Sequence, residues 1–327
     1  MIYSKIIGLG SYVPSQIVKN DELSKIVETN DEWITTRTGI KERRISTGEK
    51  TSQLALKAAK ESITAAGIEK EEIDMVVLAT ITPDFFTPAT ASIIQAELGL
   101  KDIPSFDISA GCTGFIYGLQ IADQFIKSKQ CKTVLVIGAE ALSKVTNWED
   151  RNTCVLFGDG AGAAILQSSD KKGIISTYTG SQGDLQGHLT LPAVPLKNPF
   201  FEYQENNGIH SYLSMNGKEI FKFATKIMIK SISHVLDKSN LSMEDIDYVV
   251  PHQANIRIID YVSQKLKMER EKFIINLDRF GNTSAASIPL AMDEAYKKNT
   301  FRPGNKIIMV AFGGGLTWGA VLVNWTI

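Results

Sequence analysis

The chain has 327 residues, 43% hydrophobic and 22% charged, a globular balance that excludes a disordered or collagen-like protein. Its 35 basic and 36 acidic side chains leave a net charge of −1, so it lacks the electrostatic footprint of a general nucleic-acid binder. The length corresponds to two domains or one large α/β unit, and a core of that size needs no disulfide or metal staple. In chain order, the first segment, Met1-Ile-Tyr-Ser-Lys-Ile-Ile-Gly, lacks the layout of a signal peptide. With three irregularly spaced cysteines, Cys112, Cys131 and Cys154, this points to a reducing, cytoplasmic setting.

Next comes a helical pattern over Gln53–Ala66, closed by Gly67, and then a buried apolar strand over Ile73–Ala79. Phe106-Asp-Ile-Ser-Ala-Gly-Cys112-Thr-Gly predicts a short strand that ends in small residues, with a helix from Cys112 to Lys127. Further strands are predicted over Lys132–Ile137 and Ala161–Gln167. This βα alternation implies an α/β fold with a sheet buried on both faces. The segment from Tyr178 to Ser214, rich in glycine and proline, reads as a long surface excursion. The chain then returns to a strand that ends at Pro251, before His252-Gln-Ala-Asn255-Ile-Arg257. Asp278-Arg-Phe-Gly281-Asn282-Thr-Ser opens another helix, with good N-cap chemistry of its own. The last 21 residues, Ile307–Ile327, carry no charge and are long enough to span a bilayer. Gly313-Gly314-Gly315 and the uncharged flank favour two buried strands around a turn, with no membrane segment.

An internal repeat orders these pieces. Glu71-Glu-Ile-Asp-Met-Val-Val77 recurs as Glu244-Asp-Ile-Asp-Tyr-Val-Val250, offset by 173 residues, and the same offset carries Val134–Ile137 onto Ile307–Val310. The chain therefore reads as two similar halves, 1–172 and 173–327, each a sheet with covering helices, packed about a pseudo-twofold axis. The offset sets His252 opposite Ala79, and Ala285 opposite Cys112, so Asn282 opens the helix that mirrors the Cys112 helix. Cys112, His252 and Asn282 then meet at one central seam. A helix N-terminus lowers a thiol pKa from about 8.5, which suits a nucleophile. Taken alone, Cys112 reads equally well as a small buried apolar side chain.

Other chemistries lack their signatures. Phe157-Gly-Asp-Gly-Ala-Gly162 precedes a strand and has the wrong glycine spacing for a dinucleotide fingerprint. No zinc, phosphate-loop or zinc-protease pattern occurs. The Cys-His-Asn order also describes papain-like proteases, but the surroundings of Cys112 and its mid-chain position do not fit them.

At these segments the chain resembles the thiolase-fold condensing enzymes, and most of all the β-ketoacyl-acyl carrier protein synthase III family. The likeness spans essentially the whole chain. It rests on Asp31-Glu-Trp33-Ile-x-x-Arg37-Thr-Gly-Ile, the Cys112 segment, Phe157-Gly-Asp-Gly-Ala-Gly-Ala, His252-Gln-Ala-Asn255-x-Arg257, Gly281-Asn282-Thr-Ser-Ala-Ala-Ser and Phe312-Gly-Gly-Gly-x-Thr-Trp-Gly. The resemblance implies an α/β fold of duplicated thiolase-like halves, layered α-β-α-β-α, with two mixed sheets. It implies that Cys112 takes an acyl group from acyl-CoA, and that His252 and Asn282 then promote decarboxylative condensation with malonyl-acyl carrier protein. A starter synthase of secondary metabolism is the same-fold alternative. Neither a metal nor any other cofactor is implied.

By the same resemblance Gly314 shares an oxyanion hole with Cys112, and Phe312 faces the departing carboxylate. Trp33, Arg37 and Arg151 would hold the CoA nucleotide, and Gly217, Phe221 and Asn255 the pantetheine. Lys222, Arg257 and Lys265 match docking positions for an acidic carrier protein. Lys222, Lys226 and Lys230 also recur every four residues along one helical face. The family expectation is a homodimer. One departure concerns the primer pocket, where many short-chain relatives place a Phe before the Pro of the loop at 84–91. Here Thr87 precedes Pro88, and Phe85 and Phe86 lie upstream, so the resemblance leaves room for branched, longer or aromatic acyl groups.

Overall fold

The computed structural model describes residues 2–195, 199–200 and 212–327. The first sheet contains β1 (Tyr3–Tyr12), β2 (Met75–Ala79), β3 (Ser105–Ile108), β4 (Thr133–Glu140) and β5 (Gly160–Ser169), in the order β1-β5-β4-β2-β3. The second contains β6 (Ile174–Ser181), β7 (Tyr248–Pro251), β8 (Lys306–Gly313) and β9 (Thr317–Asn324), in the order β7-β8-β9-β6. In each sheet a parallel pair, β2–β4 or β7–β8, continues into two antiparallel pairings. The counterpart of β3 in the second sheet is a single parallel bridge between Val249 and Phe273.

The offset of 173 residues holds at the level of elements. It carries β4 (Thr133–Glu140) onto β8 (Lys306–Gly313), end for end. It also carries the 3₁₀ turn Gly111–Thr113 onto the 3₁₀ turn Ser284–Ala286.

The helices that matter here are α1 (Asp31–Thr38), α2 (Thr51–Ala66), α3 (Thr90–Leu98), α4 (Gly114–Lys127), α5 (Gly217–Asp237), α6 (Ile256–Leu266) and α7 (Ser287–Lys297). Gly67 ends α2 in the left-handed conformation, as the sequence predicts. Helices α2 and α3 cover the outer face of the first sheet, where Leu54, Ala58 and Ile94 meet Val76, Leu78 and Ile137. Helices α4 and α7 lie between the sheets, with Phe115, Leu119, Ile288 and Met292 against Val77, Val136, Met309 and Val321. Helices α5 and α6 close the far side, with Met228, Ile258 and Ile259 on Val249, Ile308 and Val310. The result is five layers, α-β-α-β-α. Each fully buried aliphatic side chain contributes about 1.5–3 kcal/mol, so the apolar periodicity of these segments is enough to order them.

Three sequence expectations need adjustment. The predicted helix at Cys112 begins as a 3₁₀ turn, and α4 proper starts at Gly114. The excursion expected from Tyr178 starts later, because β6 pairs with β9 as far as Ser181. Within it, Leu189–Thr190 pairs with Ser214–Met215, while Gly208 and His210 lie outside the described residues. The charge-free C-terminal run forms β8, a tight turn and β9. Among the described residues no helix is long and apolar enough to cross a membrane.

Candidate active site

Cys112 sits in the turn that joins β3 to α4. Gly111 takes φ +53°, and a Cβ built there would lie 2.9 Å from the amide nitrogen of Gly314. A Cβ on Gly313 would lie 2.6 Å from the amide nitrogen of Cys112. Glycine at both positions lets the end of β8 lie directly against the backbone of the nucleophile.

His252 follows β7 at once, and its amide donates to the carbonyl of Val310 at 2.8 Å. Its Nδ1 lies 2.7 Å from Ser287 Oγ, at the start of α7. The Phe312 ring meets the imidazole edge-on, with centroids 5.4 Å apart. Burial pushes the His252 pKa down to about 3, so the ring is neutral at physiological pH.

Asn282 is fixed at both its backbone and its side chain. Its amide donates to Leu156 O at 2.8 Å, and its carbonyl accepts from Gly158 N at 3.0 Å. Its Oδ1 accepts from the Ser284 amide at 2.8 Å. That bond sets the orientation of the carboxamide and leaves the NH₂ as the free donor.

All three side chains line one cavity of about 800 Å³. Cys112 is partly exposed into it. Burial nevertheless pushes the thiol up to about 12, the Ser284 hydroxyl pulls it down, and the Glu140 carboxylate pushes it up again. The expectation of a thiol lowered by its helix N-terminus is therefore overturned, because desolvation outweighs the helix end.

The remaining predicted residues divide into three groups. Gly217, Phe221, Asn255, Phe312, Gly314 and Phe86 line the same cavity. Asn255 also caps α6, its Oδ1 accepting from the Arg257 amide at 2.9 Å. Thr87 is exposed and is not part of the cavity wall, although its neighbours Phe85 and Phe86 are. Trp33, Arg37 and Arg151 gather outside the wall, with the two guanidinium carbons 4.7 Å and 5.1 Å from the indole centroid. Lys222, Arg257 and Lys265 are exposed on α5 and α6, the helices that carry Phe221 and Asn255. Lys222 is bound at 2.8 Å by Glu219.

Sequence reasoning assigned no role to Glu140, Ser284 or Ser287. Both serines lie inside the Asn282 motif, which was the available signal. Glu140 has no local signal, since its place beside the site depends on the packing of β4. Among the described residues no group of three or more histidine, cysteine or acidic side chains is placed to hold a metal ion.

Residues 106–183 match the family model described as 3-oxoacyl-[acyl-carrier-protein (ACP)] synthase III, and residues 236–325 match the model of its C-terminal part. The β-ketoacyl-[acyl-carrier-protein] synthase III of Clostridium novyi (strain NT) is 56% identical over 98% of each chain. The chain belongs to this synthase III family. The crystal structure of 3-oxoacyl-[acyl-carrier-protein] synthase III from Aquifex aeolicus VF5 superposes with a TM-score of 0.91, at 48% identity, over 98% of this chain and 100% of that one. The priming β-ketosynthase of the R1128 polyketide biosynthetic pathway has the same fold, with a TM-score of 0.91 at 34% identity, over 99% of this chain and 97% of that one. The duplicated thiolase fold and membership of a condensing acyltransferase family thus rest on both sequence and architecture.

Proposed function

We propose that this protein is the initiating condensing enzyme of dissociated fatty-acid synthesis. It transfers an acyl group from CoA to Cys112 and then condenses it with malonyl-acyl carrier protein. The observation that carries this reading is the placement of Cys112, His252 and Asn282 around a single cavity, with two neutral donors beside one thiol.

In the first half-reaction the sulfur of Cys112 attacks the thioester carbonyl. The amides of Cys112 and Gly314, brought together by the two glycine contacts, stabilise the oxyanion, and one such donor is typically worth about 3–4 kcal/mol. CoA leaves and the acyl group stays on sulfur.

In the second half-reaction the malonyl thioester oxygen accepts from His252 and Asn282. A Ser287 hydroxyl that donates into His252 Nδ1 leaves the ring proton on Nε2, the nitrogen available to the cavity. The Asn282 NH₂ is the second donor. Together they stabilise the enolate left by loss of CO₂. Its carbon attacks the acyl-cysteine, and the β-ketoacyl chain leaves on the carrier. Nothing in these steps calls for a metal or any other cofactor.

Trp33 and Arg151 flank the CoA adenine, with Arg37 at a phosphate, since an indole face and a guanidinium plane suit a purine and its charges. Lys222, Arg257 and Lys265 receive the acidic carrier protein. The exposed Phe85 and Phe86 support a homodimer in which this loop meets the second subunit. Thr87, in place of a larger side chain, widens the primer range. The two halves meet between Ser169, where β5 ends, and Ile174, where β6 begins, and the enzyme works in the cytoplasm.

Intact-mass analysis tests this reading. Incubation with an acyl-CoA panel should add one acyl mass at Cys112, and malonyl-carrier protein should then discharge it as β-ketoacyl product. An adduct that never forms, or that is only hydrolysed to free acid, overturns the proposal. Labelling by acetyl-CoA alone would remove the wider primer range.

A further inference from the structure

Behind Cys112 lies a buried carboxylate that the two half-reactions above do not use. Glu140, the last residue of β4, is fully buried. Its Oε2 accepts from Thr80 Oγ1 at 3.0 Å, from Thr82 Oγ1 at 2.6 Å and from the Ile81 amide at 3.1 Å. Its Oε1 accepts from Ser284 Oγ at 3.1 Å. Among the described residues no cation lies within ion-pair distance of it. The nearest ammonium group, Lys144, instead donates to the carbonyls of Thr82 and Pro83 at 2.7 Å and 2.8 Å. An unpaired buried carboxylate is costly, and the desolvation that accompanies it pushes Glu140 up to about 7.

Ser284 links this carboxylate to the nucleophile, since its hydroxyl also acts on the Cys112 thiol. Its backbone is held at φ +48°, where its repeat partner is Gly111. A non-glycine residue there costs about 1–2 kcal/mol. A serine kept at a position that favours glycine points to a use for its hydroxyl.

The first half-reaction leaves one proton unaccounted for. The thiol of Cys112 must lose it as the carbon–sulfur bond forms, yet His252, held near 3, is a poor acceptor. We propose that Ser284 and Glu140 form a proton relay for acylation, with Glu140 as the terminal acceptor. The Cys112 proton passes to Ser284 Oγ as the Ser284 proton passes to Glu140 Oε1. Sulfur bonds to the carbonyl carbon, and the tetrahedral intermediate then expels CoA. The proton returns to the CoA sulfur, so CoA leaves as the thiol and Glu140 is again a carboxylate. Two adjacent buried anions are avoided throughout, which is why proton movement must accompany attack. Glu140 acts through Ser284 and is a positioning and relay residue, not a group that touches substrate.

This inference rests on the proposed acyl transfer, and the test separates the two. The rate of Cys112 acylation by acyl-CoA is followed by quench-flow and intact mass from pH 5.5 to 9.5. The titratable groups around Glu140 are Cys112 and Lys144, the latter shared with Asp84 and Asp159. Segments 80–82 and 284–286 contribute only hydroxyls and an amide. Glu140 must be ionised to accept, so the wild-type rate should rise with pH to a plateau above about 7. Glu140→Gln and Ser284→Ala should each acylate about 10²-fold more slowly at pH 7.5. Their rates should climb steadily with pH, without a plateau, following the thiol itself. Ser284→Ala leaves Glu140 its other three donors, so it tests the relay with the cradle intact. Malonyl-carrier protein decarboxylation, which needs no Cys112 proton transfer, should fall by less than about threefold in both variants. Variants that keep the wild-type plateau overturn the relay. So do variants that lose acylation and decarboxylation equally, since that is the mark of a purely structural Glu140. A wild-type protein that is never acylated overturns the proposed function instead.

Discussion

The turns Gly111–Thr113 and Ser284–Ala286 are the same backbone built twice. Each is a 3₁₀ turn entered in the left-handed region, at φ +53° and φ +48°, and each feeds a helix of the central layer. Their side chains have diverged completely. The first has a glycine, which admits the β8 backbone, and then the nucleophile. The second has a serine, which bridges to Glu140, and then Ala285 in the place of the cysteine. Duplication supplied two equivalent corners at one seam, and substitution made one the attacking group and the other its surroundings.

The largest break in this comparison is Cys112→Ala, which makes the first corner like the second. Condensation should fall at least about 10⁴-fold, as for loss of a nucleophile elsewhere, while malonyl decarboxylation persists. A coupled carrier-protein assay reads both. The reverse pattern is expected of His252→Ala, which should cost decarboxylation about 10²–10⁴-fold and leave the acyl adduct of Cys112 intact by mass. The wild-type decarboxylation rate sharpens this. An imidazole with its pKa lowered to about 3 stays neutral as pH falls through 6.5, so the rate should stay flat from pH 8 to 5. A fall near 6.5 would mean that His252 titrates as an exposed histidine does. Gly313→Ala attacks the contact that only the first corner makes. Its Cβ would lie 2.6 Å from the Cys112 amide nitrogen, and acylation should slow about 10²-fold in a protein that still folds. The smallest effect is expected away from the seam, where Trp33→Ala should raise KM for acyl-CoA about tenfold with kcat unchanged, by steady-state kinetics.

The sequence made the seam legible because its parts are local. Strands such as Val134–Ile137 are unbroken apolar runs, so the offset of 173 residues could be read from two short matches. The same offset then fixed the partners of Cys112 without any structure. What stayed hidden depends on packing. Whether Cys112 sits in water or among buried groups decides its pKa, and no neighbour in sequence reports that. Glu140 ends an apolar strand like any polar boundary residue, and only the arrival of Thr80, Thr82 and Ser284 from other elements gives it a setting. Thr87 was placed by its proline, but it is Phe85 and Phe86 that reach the cavity of this chain.

The repeat is faithful up to the ends of β4 and β8 and then parts company. In the first half residues 141–159 separate β4 from β5, whereas in the second only residues 314–316 separate β8 from β9. The short connection is the one that lies against Cys112, and it leaves the space over the thiol open. The long one contributes Leu142, Leu156 and Phe157 to the cavity wall and carries Arg151 outward toward Trp33. A symmetrical molecule would have offered either two shallow clefts or none. Unequal loops on equal sheets give the duplicated body a single entrance and a single chemical direction.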